Sequence, residues 1–296
     1  MQSYSSGIKR KLILALVIAS AITILEFLGG VMSNSIALLS DAGHMFGDVM
    51  AISLSLFAIG LATKQHTKKL TYGYHRAEVL AALANGIILA VIAVLIVQEA
   101  YMRLINPPIV DVTILLGVAA IGLAANTVIA LILKEARKNS INVRSAYLHV
   151  FYDAVSSIGV IVGGLIATLT HYYAIDPIIA FMIAGLVAKG AISILRESIH
   201  ILLEGTPSAI DAKRVIAEIK SINGVLDVHD LHAWTISSGI NALSGHVVMQ
   251  DQMVSESARI IDEIDRIMKT KFNISHTTIQ VESDKTIKDI KHIDSN

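Results

Sequence analysis

The chain has no cysteine, few charged residues and no excess of either sign. Without thiols, disulfides and thiolate metal centres are both excluded, which leaves His, Asp and Glu as the only strong metal ligands. Charged residues make up 16% of the 296 and the formal net charge is zero. No basic stripe is present to grip a polyanion, so no nucleic-acid partner is expected. What the chain has instead is apolar surface: 54% of its residues are hydrophobic and its mean hydropathy is +0.64. That is too apolar for an ordinary soluble domain and predicts a membrane protein.

Six apolar stretches are long enough to span a bilayer: residues 12–32, 36–62, 78–101, 113–133, 146–170 and 177–195. The first would reach roughly 30 Å as a helix, enough to cross the hydrocarbon layer. Lys9, Arg10 and Lys11 precede it as they would a signal peptide. The run is too long for an h-region, however, and its small residues are dispersed, so it reads as a span. If the spans alternate, the basic clusters 9–11, 64–76 and 134–144 share one side, while the other has little beyond Arg103. The positive-inside rule then places both termini in the cytoplasm, with the chain multi-pass in the inner or plasma membrane.

After Gly205-Thr206-Pro207 charge rises and apolar runs shorten. The expected division is a six-helix transmembrane domain over 1–204, a folded soluble domain over 205–284 and a polar tail over 285–296. Within the soluble part, 210–222 has helical periodicity and Asn223-Gly224 is the expected C-cap. Strands are predicted at 225–236, 242–249 and 277–281, with an amphipathic helix at 255–272. The order helix, strand, strand, helix, strand makes a small α+β, ferredoxin-like domain.

Ionisable residues inside spans are costly and mark function by default. Span two carries Asp41, His44 and Asp48, and span five carries His149 and Asp153. Residues four apart share a helix face, so His44 with Asp48 and His149 with Asp153 each form a two-ligand edge. Two facing edges offer two imidazoles and two carboxylates, a set that suits Zn²⁺ and also accepts Cd²⁺ or Co²⁺. A single such pair is more often a structural His–Asp contact, but two pairs at identical spacing favour a metal. Spans one to three and four to six read as inverted halves, which would set His44 level with Asp153 and Asp48 with His149. The pair in span two sits nearer the outer end, whereas that in span five is close to Arg144. Helix tilt or a cytoplasmic cavity would reconcile the two depths.

The chain resembles the cation diffusion facilitator family. The resemblance rests on Ser35-Ile-Ala-Leu-Leu-Ser-Asp-Ala-Gly-His44, Tyr72-Gly-Tyr-His-Arg-Ala-Glu78, His149 to Asp153, Leu203-Glu-Gly-Thr-Pro207 and His229-Asp-Leu-His-Ala-Trp234. It implies a proton-coupled antiporter, not an enzyme, that exports zinc or cadmium by alternating access. It also implies a homodimer in lipid and a cytoplasmic domain that binds metal and dimerises. His44, Asp48, His149 and Asp153 become the transport site. A cytoplasmic metal cluster maps to His229, His246 and Glu282, with His232 and His276 nearby, and Gln280 stands where some members have a ligand His. Arg76 and Glu204 match a charge interlock between the third span and the cytoplasmic domain across the dimer. Leu70 and Tyr74 replace the His ligands of a surface site that some members carry, leaving His66 and His75 as a weak substitute.

Two other readings compete. An intramembrane aspartyl protease would use Asp48 and Asp153, but Met45 breaks its glycine motif, the motifs come in reversed order and the histidines would be idle. A non-transporting metal sensor would use the cytoplasmic cluster. Among the remaining polar residues, Glu26, Asn85, Glu99 and Asn126 are expected to hydrogen-bond between helices. Asp41 is expected to support the ligands or the helix start, Gly159 and Gly163 to allow close helix packing, and Trp234 to fill the soluble core.

Overall fold

The computed structural model describes residues 2–62, 71–134, 141–237 and 239–283. Within its helices, the side chains of residues 2–12, 51, 52, 55–62, 141–146, 148 and 149 lie outside the description. The chain forms two compact units, Met1–Phe57 with Ala81–Leu195 and Ala58–Leu80 with Arg196–Asn296. The long helices are α1 (Gln2–Ser33), α2 (Ile36–Ala62), α3 (Ala77–Ile105), α4 (Val112–Lys134), α5 (Ile141–Thr170) and α6 (Ile175–Leu202). Among the described residues, stretches in α1, α3, α4, α5 and α6 are long and apolar enough to cross a membrane. With α2 they make the six expected helices, each satisfying its own backbone hydrogen bonds as lipid requires. The fold is thus an α-helical membrane protein with an added α+β domain.

In the first unit, small and branched residues fill the centre, among them Ala37, Leu38, Ala93, Leu115, Ala119, Val160 and Val187. Large apolar side chains such as Phe27, Val94, Leu131 and Leu169 point outward, as a lipid-facing surface demands. Gly163 lets α5 approach α6: a Cβ there would lie 2.1 Å from Ile179 Cδ1. Gly159 has no such role, since nothing lies within 4 Å of its would-be Cβ. Among the described residues, the expected interhelical hydrogen bonds are also absent. Glu99 accepts from Arg103 one turn along its own helix at 2.7 Å. Both carboxyl oxygens of Glu26, Asn85 Oδ1 and both amide atoms of Asn126 are buried without a partner. Helix rotation set by the apolar majority decides which polar groups meet.

The start of α2 is fixed from three sides. Asn34 takes a left-handed conformation, φ 57°, which its short polar side chain tolerates, and so reverses the chain after α1. Arg103 Nη1 donates to Asn34 O at 2.6 Å. Asp176, at the start of α6, accepts from Ser35 Oγ and from Ile36 N at 2.7 Å. Ser35 Oγ in turn accepts from Leu38 N at 3.1 Å, the N-cap arrangement. These acceptors satisfy orphan amides at a buried helix end and set the height and rotation of the helix that carries His44 and Asp48.

The second unit contains α7 (Ala212–Lys220), β1 (Val225–Ser237), β2 (Ile240–Met249), α8 (Val254–Phe272) and β3 (Ile274–Ser283). The sheet order is β1-β2-β3, with β1 and β2 antiparallel and β2 and β3 parallel. Val215 and Ile219 of α7 and Ile264 and Met268 of α8 pack on Val228, Leu243 and Val247 of the sheet. Asp211 caps α7 by accepting from Lys213 N at 2.9 Å. The helix closes at Ser221, earlier than the expected Asn223-Gly224 cap, and Gly224 (φ 98°) instead supplies the turn into β1. Trp234 is half-buried and lies outside the packed core, because its position near the end of β1 faces away from both helices' apolar stripes.

Replacing Asp176 with Ala removes the acceptor for Ser35, Ile36 and Ala37, an expected loss of about 1–3 kcal/mol for orphaned buried donors. Thermal unfolding of the purified protein in detergent should show a lowered midpoint, with Asp176→Asn in between. An unchanged midpoint for Asp176→Ala would disprove this role.

Candidate metal sites

Helical spacing places Asp41, His44 and Asp48 along one face of α2. On α5, Asp153, Ser156 and Ser157 lie within about one turn of each other. The first cluster is His44, Asp48 and Asp153, whose potential ligand atoms all lie within 4.8 Å of one another. His44 Nδ1 is 3.8 Å from Asp48 Oδ2, and His44 Nε2 is 3.7 Å from Asp153 Oδ1. Bonds of 2.0–2.1 Å around tetrahedral zinc put neighbouring ligand atoms roughly 3.3–3.5 Å apart, so a small contraction closes the set. The side chain of Asp153 is 6% exposed and that of His44 25%, an arrangement open on one side only. The difference in depth expected between the helices does not separate His44 from Asp153. His149 precedes Asp153 by one turn of α5, and its side chain lies outside the described residues.

The chemistry follows from the imidazole's position. Each ring nitrogen faces a different carboxylate, so an imidazolium is matched by two negative partners. A divalent cation needs a bare ring nitrogen and therefore displaces a proton. Asp41 stands beside this group without joining it. Its Oδ1 accepts from Ser156 Oγ at 2.7 Å and its Oδ2 from Ser157 Oγ at 3.5 Å, which ties α2 to α5 next to the ligands.

The second cluster is His229, His246 and Glu282. Register pairs His229 with His246 and His246 with Gln280, a row across three strands, with Glu282 two residues further on the same face of β3. His246 Nδ1 lies 2.6 Å from Glu282 Oε1 and His229 Nε2 lies 3.1 Å from Oε2. Gln280 Nε2 donates to Oε1 at 3.2 Å. Burial pushes the Glu282 carboxyl up, but the hydrogen bonds from His246 and His229 outweigh it and hold the group below the usual carboxylate range. Two imidazoles and a carboxylate form a donor set that fits zinc. His232 is exposed, with Nε2 3.0 Å from Asp230 Oδ1. His276 is exposed and pairs with Ala242, four residues up the strand from Gln280, roughly 13 Å away.

Several participants were not legible in the sequence. Asp230 lies 3.7 Å from His246 Nε2 through Oδ2, although strict alternation would turn it away from its neighbour His229. A β-bulge between His229 and His232, with Asp230 at φ 48°, redirects it. Ser156 and Ser157 gave no signal beyond being polar in a span. In the second unit, Arg76 Nη2 donates to Glu204 Oε1 at 2.8 Å within one chain. Both partners are largely exposed, which limits the pair to about 0–1 kcal/mol. Ser237 Oγ donates to Glu78 Oε2 at 2.5 Å, a contact the sequence did not suggest. His75 is half-buried, and His66 and Leu70 lie outside the described residues.

Residues 12–203 match the family described as cation efflux transmembrane domain, and residues 207–284 match the cytoplasmic domain of cation efflux proteins. The chain is 40% identical to the cadmium, cobalt and zinc/H(+)-K(+) antiporter of Bacillus subtilis, over 93% of this chain and 89% of that protein. It is 38% identical to the metal cation efflux system protein CzcD of Cupriavidus metallidurans, over 94% and 88%. It is 35% identical to the zinc transporter ZitB of Pectobacterium atrosepticum, over 94% and 86%.

A carboxyl held low in the folded state stabilises the fold above its unfolded pKa of about 4.3, and this contribution is lost as pH falls through the folded value. The single tryptophan, Trp234, reports on this domain. In acid titrations followed by its fluorescence, Glu282→Gln should be less stable at neutral pH and lose less on acidification below about pH 4.5. Parallel wild-type and variant curves would contradict that assignment.

Proposed function

The chain belongs to the cation diffusion facilitator family of cation-efflux proteins, and from that premise we propose that it expels zinc from the cytoplasm in exchange for protons, using His44, Asp48, His149 and Asp153. It is a multi-pass membrane protein for metal cation efflux, and its relatives are transporters. The observation that carries the site assignment is the convergence of His44 and Asp48 on α2 with Asp153 on α5. An imidazole set between carboxylates favours zinc, cadmium and cobalt over the hard cations magnesium and calcium. The Bacillus subtilis relative, an antiporter of cadmium, cobalt and zinc, supports that choice.

The substrate cation enters from the cytoplasmic side and takes a ring nitrogen of His44 with oxygens of Asp48 and Asp153. The proton on that nitrogen leaves. Rocking of the two three-helix halves about this midplane site turns it outward, where protons reclaim the ligands and release the metal. The proton gradient therefore drives export. The chain works as a homodimer with both termini cytoplasmic. His229, His246 and Glu282 bind a regulatory zinc in the cytoplasmic domain, and Arg76 with Glu204 forms the charge interlock.

In proteoliposomes, zinc uptake should rise with an imposed pH gradient, and equal rates with and without the gradient would rule out coupling. Asp48→Ala and Asp153→Ala should each lower uptake by about a hundredfold or more, given that even outer partners of metal ligands are worth 10–100-fold. Both should retain the wild-type elution profile and helical circular dichroism. Substantial uptake by either variant would remove that residue from the site.

A further inference from the structure

His44 stands three residues after Asp41 on α2, and Asp153 stands three residues before Ser156 on α5. Asp41 Oδ1 accepts from Ser156 Oγ at 2.7 Å, and His44 Nε2 approaches Asp153 Oδ1 at 3.7 Å. A step forward on α2 is thus matched by an equal step back on α5, as in two antiparallel helices held in one register. Four residues further in the same sense, Asp48 falls opposite position 149. The contact of Asp41 with Ser156 therefore stands one helical turn from the meeting of His44 with Asp153, on both helices. It is not part of the ligand cluster, which holds His44, Asp48 and Asp153. Asp41 is 1% exposed, and a buried carboxyl is tolerated only where donors meet it. Ser157 Oγ is 3.5 Å from Asp41 Oδ2 but 3.1 Å from Asp153 O. Its single proton favours the shorter contact, which leaves Ser156 as the principal donor.

Asp176 fixes the start of α2 against α6, whereas Asp41 fixes α2 against α5, the helix that carries Asp153. Sliding α2 by the rise of a single residue is about 1.5 Å, while ligand distances around a metal are held to about 0.2 Å. Register along the axis therefore decides whether the ligands converge. We propose that Asp41 is a positioning residue for the transport site: through Ser156 it pins the axial register of α2 on α5, so that the ligands of the two helices already face each other before the cation arrives. Alignment made in the empty site is a cost that binding no longer bears, so the contribution of Asp41 falls on affinity for the cation. This inference rests on the transport site proposed above.

The test is zinc uptake by full-length protein in proteoliposomes at a fixed pH gradient, measured over a range of zinc concentrations so that KM and maximal rate separate. Asp41→Ala should raise KM by about tenfold, the low end for groups that support ligands without touching the metal, and leave the maximal rate largely intact. Ser156→Ala should act in the same direction. The double variant should be no worse than Asp41→Ala, because both changes remove one contact. Asp41→Asn keeps an oxygen that accepts from Ser156 and should bring KM back near the wild-type value. An Asn variant as impaired as the Ala variant would make Asp41 a ligand or a proton carrier and overturn the proposal, as would additive effects of the two Ala changes. Unchanged KM in an Asp41→Ala protein with the wild-type elution profile would overturn it too. Should Asp41→Ala not fold, Ser156→Ala decides: a raised KM that Ser156→Thr restores supports the pin, and an unchanged KM overturns it. Uptake retained by Asp153→Ala would overturn the site and this inference with it, whereas uptake lost in Asp153→Ala with KM unchanged in Asp41→Ala overturns this inference alone.

Discussion

An imidazole flanked by two carboxylates inside an apolar bundle is the constraint on which the membrane unit depends. Ionised groups in that interior are tolerated only with partners, and a site that can hold either protons or a divalent cation satisfies the requirement in two different ways. The surrounding structure keeps both options open. Asp41, tied to Ser156 and Ser157, joins α2 to α5 without drawing on His44, Asp48 or Asp153 for the purpose.

The turn before α2 shows how the position of that site is fixed at a distance. Ser35, Arg103 and Asp176 come from or reach three different helices and all converge on two residues of chain reversal. A helix anchored at its buried end transmits its rotation to residues two and three turns along, which is where His44 and Asp48 stand. The anchor thus fixes where α2 presents His44 and Asp48.

The soluble unit solves a smaller version of the same problem. Glu282 is buried and remains ionisable because two imidazoles and an amide donate to it. Strand register supplies the row and a bulge adds Asp230 at its rim. Both clusters therefore pair imidazole with carboxylate, one framed by helix spacing and the other by sheet register.

Helical spacing made His44, Asp48, His149 and Asp153 readable as two edges, since residues four apart share a face whatever the surroundings. Hydropathy made the six helices readable. These are local properties, and the chain alone determines them. Other features required knowing which faces meet. Glu26 and Asn126 looked like hydrogen-bonding partners of other helices, yet rotation of α1 against α4 leaves both unbonded. His276 looked like a companion of His246, but strand register carries it along the sheet, and Trp234 looked like core but lies beside it. Asp176 as the cap of α2, Asp230 in its bulge and the serines that hold Asp41 were decided by tertiary structure alone, because each depends on a contact between residues distant in sequence or on a backbone irregularity that periodicity does not encode.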